Sequence, residues 1–293
     1  MAITTATTGN LADAQRILVG EGRYTAEHAA PMKQLVSLFR LKKGEKQLSL
    51  PQFGQITANA LTDAVDMVSD TVLPTETTVT ITTSEVGAKI ILTDKLVRQM
   101  NEDVFRVAGK LLGNAMGRKL DKDLLALLDG FSNALGAAAT AITAGHITAA
   151  IAQLKGGLGT GDIDPAPDPI YCMLHPHQVR TIMNAIAPVG TYPLPEGPSA
   201  DILRKYFVTA LQGWGIPIFG DGNLTPDSSD DAKGGVFSKE ALYLCWQDEW
   251  DVENERDASL RATELVIVAD YGVGELRDAY GMEMYFDAAA PTS

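Results

Sequence analysis

The stretch "NEDVFRVAGKLLGNAMGRKLDKDLLALLDG", residues 101–130, calls for a long amphipathic helix. Val104, Ala108, Leu111, Leu112, Ala115, Leu120, Leu124, Leu127 and Leu128 recur at spacings of three and four, which places them on one helical face. Asn101 suits the N-cap and Gly130 the C-terminal stop. Gly109, Gly113 and Gly117 repeat every four residues on one side. Between membrane helices that spacing allows pairing, but the interspersed Lys, Arg and Asp exclude a span here. In a soluble helix it lets a strand or another backbone come close. Such an approach would offset the roughly 1 kcal/mol by which each interior glycine falls short of alanine.

The rest of the chain must cover that face. A length of 293 residues is enough for a sizeable core and more than one structural unit. A content of 45% hydrophobic and 21% charged residues is that of a globular protein. No apolar run approaches the roughly 20 residues of a membrane helix. The opening "MAITTATTGNLADAQRILVG" has no basic start followed by an apolar block, so no secretory signal is expected. Cys172 and Cys245 are the only cysteines, too few for a disulfide framework or a thiolate zinc site. The net charge of −13 disfavours tight DNA binding, where Lys and Arg must neutralise phosphates.

Residues 1–41 read as an arm that lies on something else, with "MKQLVSLFRLKKG" either a helix or a helix running into a strand. From about Lys42 to Leu92 the character turns to strand. "KQLSLPQFG" alternates, with Pro51 placing it at an edge or bend, and Thr78–Thr82 is strictly alternating. The polar "QITANALTDAVDMVSDTVLP" between them has no core of its own, so the hairpin must rest on a surface. Beyond the long helix the pattern becomes α/β. "HITAAIAQLKGG" reads as a helix capped at Thr143, "IYCML" as a strand, and "HPHQVRTIMNAIA" as a helix with Pro176 in its first turn. A helical "DILRKYFVTALQGWG" leads to the strand "IPIFG", an exposed acidic loop containing "DSSDD", and the strand-like "GGVFSKEALYLCW". Two or three further strands follow to the C-terminus.

Catalytic and cofactor motifs fail one by one. "GVGELR" supplies Gly272 and Gly274 of a dinucleotide loop, but Arg277 occupies the third glycine position and a strand pattern follows instead of a helix. "GGLGTGD" lacks the Gly-Lys-Ser/Thr of a phosphate loop. His175 and His177 could share a face as metal ligands, but His28 and His146 have no context linking them to it, and a polar turn opening a helix is the simpler reading. No nucleophile elbow occurs, and Asp121 and Asp123, two apart on a helix, do not face the same way. No catalytic, cofactor or metal residue is therefore assigned.

The order of segments resembles the tailed-bacteriophage major capsid protein with the Hong Kong 97-type fold. "ANALTDAVDMVSDTVLPTETTVTITTSEVGAKIILTDKLVRQM" looks like that family's extended loop returning into its spine helix, and "FRVAGKLLGNAMGRKLDKDLLALL" like the helix, with Arg118-Lys119-Leu120-Asp121. "YCMLHPHQVRTIM", "GWGIPIFGDGNL" and "GGVFSKEALYLCW" are similar to elements of its axial domain and later strands, and "ENERDASLRATELVIVADYGVGELRDAYGMEMY" to the closing peripheral strands. The resemblance implies an α+β chain with an N-terminal arm at 1–41 and an extended β-hairpin loop at 42–92. A peripheral domain with the spine helix follows at 93–130, an axial α/β domain at 131–250, and closing peripheral strands at 251–293.

It further implies a non-enzymatic shell protein without cofactors. The protein would assemble with itself as hexamers and pentamers into an icosahedral virion shell around double-stranded DNA, made in the bacterial host cytoplasm and away from any membrane. Scaffolding and portal proteins, and a decoration protein, are the implied partners; no sequence-specific DNA contact is implied. The sequence shows no large N-terminal scaffolding region, so a separate scaffolding protein or a pro-segment outside this sequence would assist. Leu48, Leu50, Phe53, Val79, Ile81 and Arg277 are the candidate inter-subunit contacts. Deletion of 44–90 would then abolish assembly and leave the α/β unit folded. Some family members cross-link a loop lysine to a peripheral asparagine. Lys42, Lys43 and Lys46 lie near the loop's base, but "RDASLRATELVIV" contains no asparagine, so no cross-link is expected. An encapsulin-like cellular compartment shares the fold and stays open as an alternative. An oligomeric α/β nucleotide-binding enzyme is the rival from another class.

Overall fold

A computed structural model describes residues 31–53, 60, 63, 75–99, 104–157, 165–186 and 216–291. The helices expected before residue 31 and across 201–215, the interior of the hairpin at 54–74 and the Asn101 cap lie outside the described residues, apart from single positions in the hairpin.

The long helix forms as α3 (Val104–Ala126) after a short α2 (Asp94–Gln99), and it tightens into a 3₁₀ turn at Leu127–Gly130. Its buried row is Ala108, Leu112, Met116, Leu120, Leu124, Leu125 and Leu128. Leu111, expected in the row, is 43% exposed, and Met116 takes a place that a count of aliphatic residues misses. The stripe follows the i, i+4 ridge more narrowly than the spacing suggests. Gly109, Gly113 and Gly117 sit one residue on, about 100° around the helix. A Cβ built at any of the three meets nothing within 4 Å, so no described residue makes the expected close backbone approach. Gly113→Ala is therefore expected to raise the unfolding free energy of the unassembled subunit by about 0.5–1 kcal/mol, measured by urea titration.

The face of α3 is covered by a four-stranded sheet, order β1-β9-β10-β4, built from β1 (Ser37–Arg40), β4 (Ser84–Thr93), β9 (Leu242–Asp257) and β10 (Ala262–Glu275). β10 lies between antiparallel β4 and β9, with Leu265 opposite Ile90 and Asn254, and Ile267 opposite Ala88 and Val252. Leu265, Ile267 and Ala269 are buried in the same core as α3. The Tyr271 hydroxyl donates to Asp123 at 2.8 Å, tying this sheet to the helix.

A five-stranded mixed sheet, order β5-β11-β8-β6-β7, forms the second layer from β5 (Ala134–Gly136), β6 (Ile170–Leu174), β7 (Ile218–Gly220), β8 (Asp231–Ser238) and β11 (Gly281–Asp287). β8 is central and buried nearly throughout, so its middle, Gly234–Phe237, is small and apolar on both faces rather than alternating. Helix α4 (Ala144–Gly156) starts after Thr143, whose backbone N–H donates to His146 Nδ1 at 3.2 Å. Helix α5 (Pro176–Ile186) begins at Pro176, where the missing N–H leaves no bond unmade.

Three segment readings need correction. Residues 31–41 are not an arm free of the subunit. They form α1 (Met32–Leu35) and then β1, which pairs parallel to β9, and Met32, Leu35 and Val36 are buried. Residues 84–92 belong to the four-stranded sheet and not to the hairpin, because ten residues of β4 pair with β10. Residues 281–287 share a sheet with β8 and β5 instead of continuing the sheet of β10, because the turn at Leu276–Tyr280 redirects the chain between layers. In the acidic loop, Asp227 and Asp230 are exposed, but Asp231 is buried and accepts from the Ala139 amide at 2.8 Å.

Candidate functional site

Strands β2 (Gln47–Phe53) and β3 (Thr75–Thr82) form a two-stranded sheet that pairs with no other strand among the described residues. Leu48 faces Ile81 and Leu50 faces Val79 across the ladder. Directly opposed residues share a face, so these four side chains make one apolar surface. It packs on Leu41, Tyr243 and Cys245, with Phe39 and Leu276 alongside. Ile81 is fully buried within its own subunit, while Phe53 at the far end of β2 is 49% exposed. Phe39 meets the Tyr243 ring edge-on at 6.4 Å between centroids.

Polar contacts fix the angle at which the hairpin leaves. The Gln52 side-chain amide donates to the Leu276 carbonyl. Arg277 donates to the Phe53 carbonyl at 3.1 Å and to the Tyr280 hydroxyl at 2.9 Å, and its guanidinium lies 5.2 Å from the Tyr280 ring centre. At the base the Thr83 hydroxyl donates to the Gln247 side chain at 2.9 Å. Of the six candidate contacts, the structure gathers Leu48, Leu50, Val79 and Ile81 into the root, places Phe53 beyond it, and sets Arg277 as the clasp between Phe53 and Tyr280. Arg277→Ala is expected to speed deuterium uptake across residues 47–53 while the spine helix keeps its protection, read by hydrogen-exchange mass spectrometry.

"GVGELR" spans the end of β10 and the two residues after it, and a three-residue 3₁₀ turn and then a strand follow, not an α-helix. Its glycines serve crowding: a Cβ at Gly272 would stand 1.9 Å from the Thr82 carbonyl oxygen, and one at Gly274 2.6 Å from the Tyr243 hydroxyl. At Gly281 it would lie 2.1 Å from the Phe131 ring. His175 and His177 stand edge-on, 4.5 Å between ring centres. They are spent on structure: His177 N–H donates to His175 Nδ1 at 3.3 Å, and His177 Nδ1 meets the Ala288 carbonyl at 2.9 Å. Among the described residues no group of three His, Cys, Asp or Glu could hold a metal ion. Burial pushes the Cys172 thiol up to about 12 and raises that of Cys245, so both are apolar packing groups rather than nucleophiles. No helix of the described residues is long and apolar enough to cross a membrane.

The described residues thus present a two-stranded projection whose apolar root rests on Leu41, Tyr243 and Cys245. The family model described as "Phage capsid protein" matches residues 75–289. The chain belongs to the phage capsid protein family. The capsid protein also shares its fold with solved phage shells. The cyanophage P-SCSP1u capsid aligns at TM-score 0.67 and 16% identity over 92% of each chain. The head of Helicobacter pylori bacteriophage KHP40 aligns at TM-score 0.68 and 12% identity over 99% of this chain and all of that one. A Mycobacterium phage Che8 chain gives TM-score 0.67 and 16% identity, covering 89% and 93%. This is the Hong Kong 97-type fold. No curated protein matches the chain.

Sequence reasoning missed the clasp partners Gln52, Leu276 and Tyr280 and the floor residues Leu41 and Tyr243 of the capsid protein. Gln52 and Leu276 are 224 residues apart, and no spacing rule links them. The alternation of Thr78–Thr82 did carry a signal: it implies one apolar face that something must cover.

Proposed function

We propose that this capsid protein assembles as hexamers and pentamers into an icosahedral shell around double-stranded DNA of a tailed phage, with the hairpin β2–β3 as a principal inter-subunit element. The observation that carries the reading is that, among the described residues, the hairpin is held to the subunit by its apolar root and the Gln52 and Arg277 contacts, with no sheet continuing it. Beyond the root it has no strand partner among the described residues, and Phe53 is half-exposed. Two strands alone are marginal in water, so a neighbouring subunit is the natural support. Many such contacts repeated by symmetry hold a closed shell. Leu38, Val252 and Leu260 are further exposed apolar side chains that a neighbour would cover. Scaffolding and portal proteins, synthesis in the host cytoplasm and the absence of catalysis belong to the same reading. The match to a phage family disfavours the encapsulin alternative.

The test must respect the corrected boundaries. Deleting 44–90 would remove the buried Ile81 and most of β4, and with them the four-stranded sheet. Replacing residues 52–77 with a short turn between Pro51 and Thr78 keeps the root residues Leu48, Leu50, Val79 and Ile81. The variant is expected to remain folded by circular dichroism and to form no particles in negative-stain images under conditions where the parent does. Normal shells from the variant would refute the role given to the hairpin. Denaturing gels of mature particles are expected to show single subunits, with no ladder of covalent multimers.

A further inference from the structure

The spine helix carries one side chain whose chemistry the shell reading leaves unused. Asp121, in the midst of the apolar row of α3, is 1% exposed. Its Oδ1 accepts from the Met32 amide at 3.3 Å, and its Oδ2 from the Asn223 side-chain amide at 3.0 Å. A second carboxyl, Asp221, reaches it from the loop after β7 and is also 1% exposed. Asp221 Oδ1 accepts from the Asn223 amide at 2.8 Å, and its backbone N–H donates to the Leu174 carbonyl at 3.0 Å. Asp221 Oδ2 is buried and, with both carboxyls ionised, meets no donor among the described residues.

An unpartnered buried oxygen beside a second buried carboxyl has a simple resolution. Two carboxylates can only accept hydrogen bonds, so as anions they leave an orphan and repel each other. One proton between them turns the orphan into an acceptor and removes a buried charge. We propose that Asp121 and Asp221 share one proton, and that this proton is a pH-sensitive latch. It fastens the segment entering at Met32 and the loop 221–223 to the spine helix.

Among the described residues, the groups that act on Asp121 are Asp221, the Asn223 side chain and the Met32 amide. On α3, Lys122 is exposed, and Asp123 is engaged by Lys119 and the Tyr271 hydroxyl. From α1 the pair receives only the Met32 amide, while the Lys33 ammonium lies 5.0 Å from the Trp246 ring centre. Beside the loop, His175 is tied to the His177 amide. Burial first, then the hydrogen bond with Asp221, pushes Asp121 up to about 7. A carboxyl raised in the folded state binds its proton more tightly folded than unfolded. The latch is therefore fully present below the ordinary carboxylate range and is lost as pH rises through about 7.

The test uses the full-length chain and two isosteric variants. Asp221→Asn puts an amide donor where Oδ2 stands and keeps Oδ1 for the Asn223 amide. Asp121→Asn instead sets an NH₂ against the Met32 or Asn223 donor. In the parent, deuterium uptake at residues 31–36, corrected for intrinsic exchange, is expected to rise between pH 5 and 7. The rise should approach roughly tenfold per pH unit where opening exposes the pair. Asp221→Asn should flatten that rise, and Asp121→Asn should open the segment at every pH. Equal pH slopes in the parent and Asp221→Asn would overturn the latch. Should either variant fail to fold, infrared spectra of the parent with carboxyl-labelled aspartate decide. A protonated carboxyl band that titrates away near pH 7 supports the shared proton, and its absence at pH 6 refutes it.

Discussion

Gln178→Leu is expected to destabilise the subunit by roughly 3 kcal/mol or more, the largest single-residue effect foreseen outside the apolar core. Gln178 is fully buried near the start of α5. Its side-chain amide donates to the carbonyls of Ala232 on β8 and Phe286 on β11, each at 2.9 Å, and its oxygen accepts from the His175 amide at 3.1 Å. One side chain thus ties two neighbouring strands to the helix over them. Leucine fills the volume but leaves a buried donor and two carbonyls with a contact removed. Each such group costs about 1–3 kcal/mol. Urea unfolding followed by tryptophan fluorescence gives the value. A loss under 1 kcal/mol would mean that water reaches these groups and would refute the bridging role.

The second large effect is expected from Gly272→Ala. The added Cβ would lie 1.9 Å from the Thr82 carbonyl oxygen and 3.0 Å from the Thr82 carbonyl carbon. These are backbone atoms at the point where the hairpin joins β4, so no side chain can swing aside. Relief requires β10 and the hairpin root to part, at about 1–3 kcal/mol of overpacking strain or more. The consequence should reach assembly, because the same displacement re-aims the hairpin. Particle yield is expected to fall more steeply than subunit stability. The spine-helix substitution Gly113→Ala, with open space around its Cβ, is the matched control. Equal yields from the two variants would show that the crowding at Gly272 is not what sets the hairpin's angle.

Much of this was legible in the sequence, for identifiable reasons. The spine helix and the alternation at Thr78–Thr82 are local patterns, and local periodicity survives without tertiary information. Arg277 at the third glycine position, with a strand pattern after it, argued against a nucleotide loop. What stayed hidden was set by pairing over long separations. β1 joins β9 across about 200 residues, and nothing in "SLFR" names its partner. The three spine glycines suggested close contact, yet no described residue comes within 4 Å of a Cβ placed on them. Asp121 looked like one of two unrelated helical acids because its true neighbour, Asp221, lies a hundred residues on. Leu48, Leu50, Val79 and Ile81 were read as inter-subunit contacts, but within the subunit they pack on Leu41, Tyr243 and Cys245, a floor that no local pattern in the hairpin announces.

The position of β11 carries a consequence for synthesis. β11 lies inside the five-stranded sheet, between β5 and β8, yet it is built from residues 281–287. Until that segment has left the ribosome, β8 lacks one of its two neighbours, and β5, which pairs only with β11, has none. A nascent chain therefore cannot present a finished subunit to its siblings, however crowded the polysome. The five-stranded sheet can close only after residues 281–287 have been made, so a chain terminated before them keeps β8 open on one side.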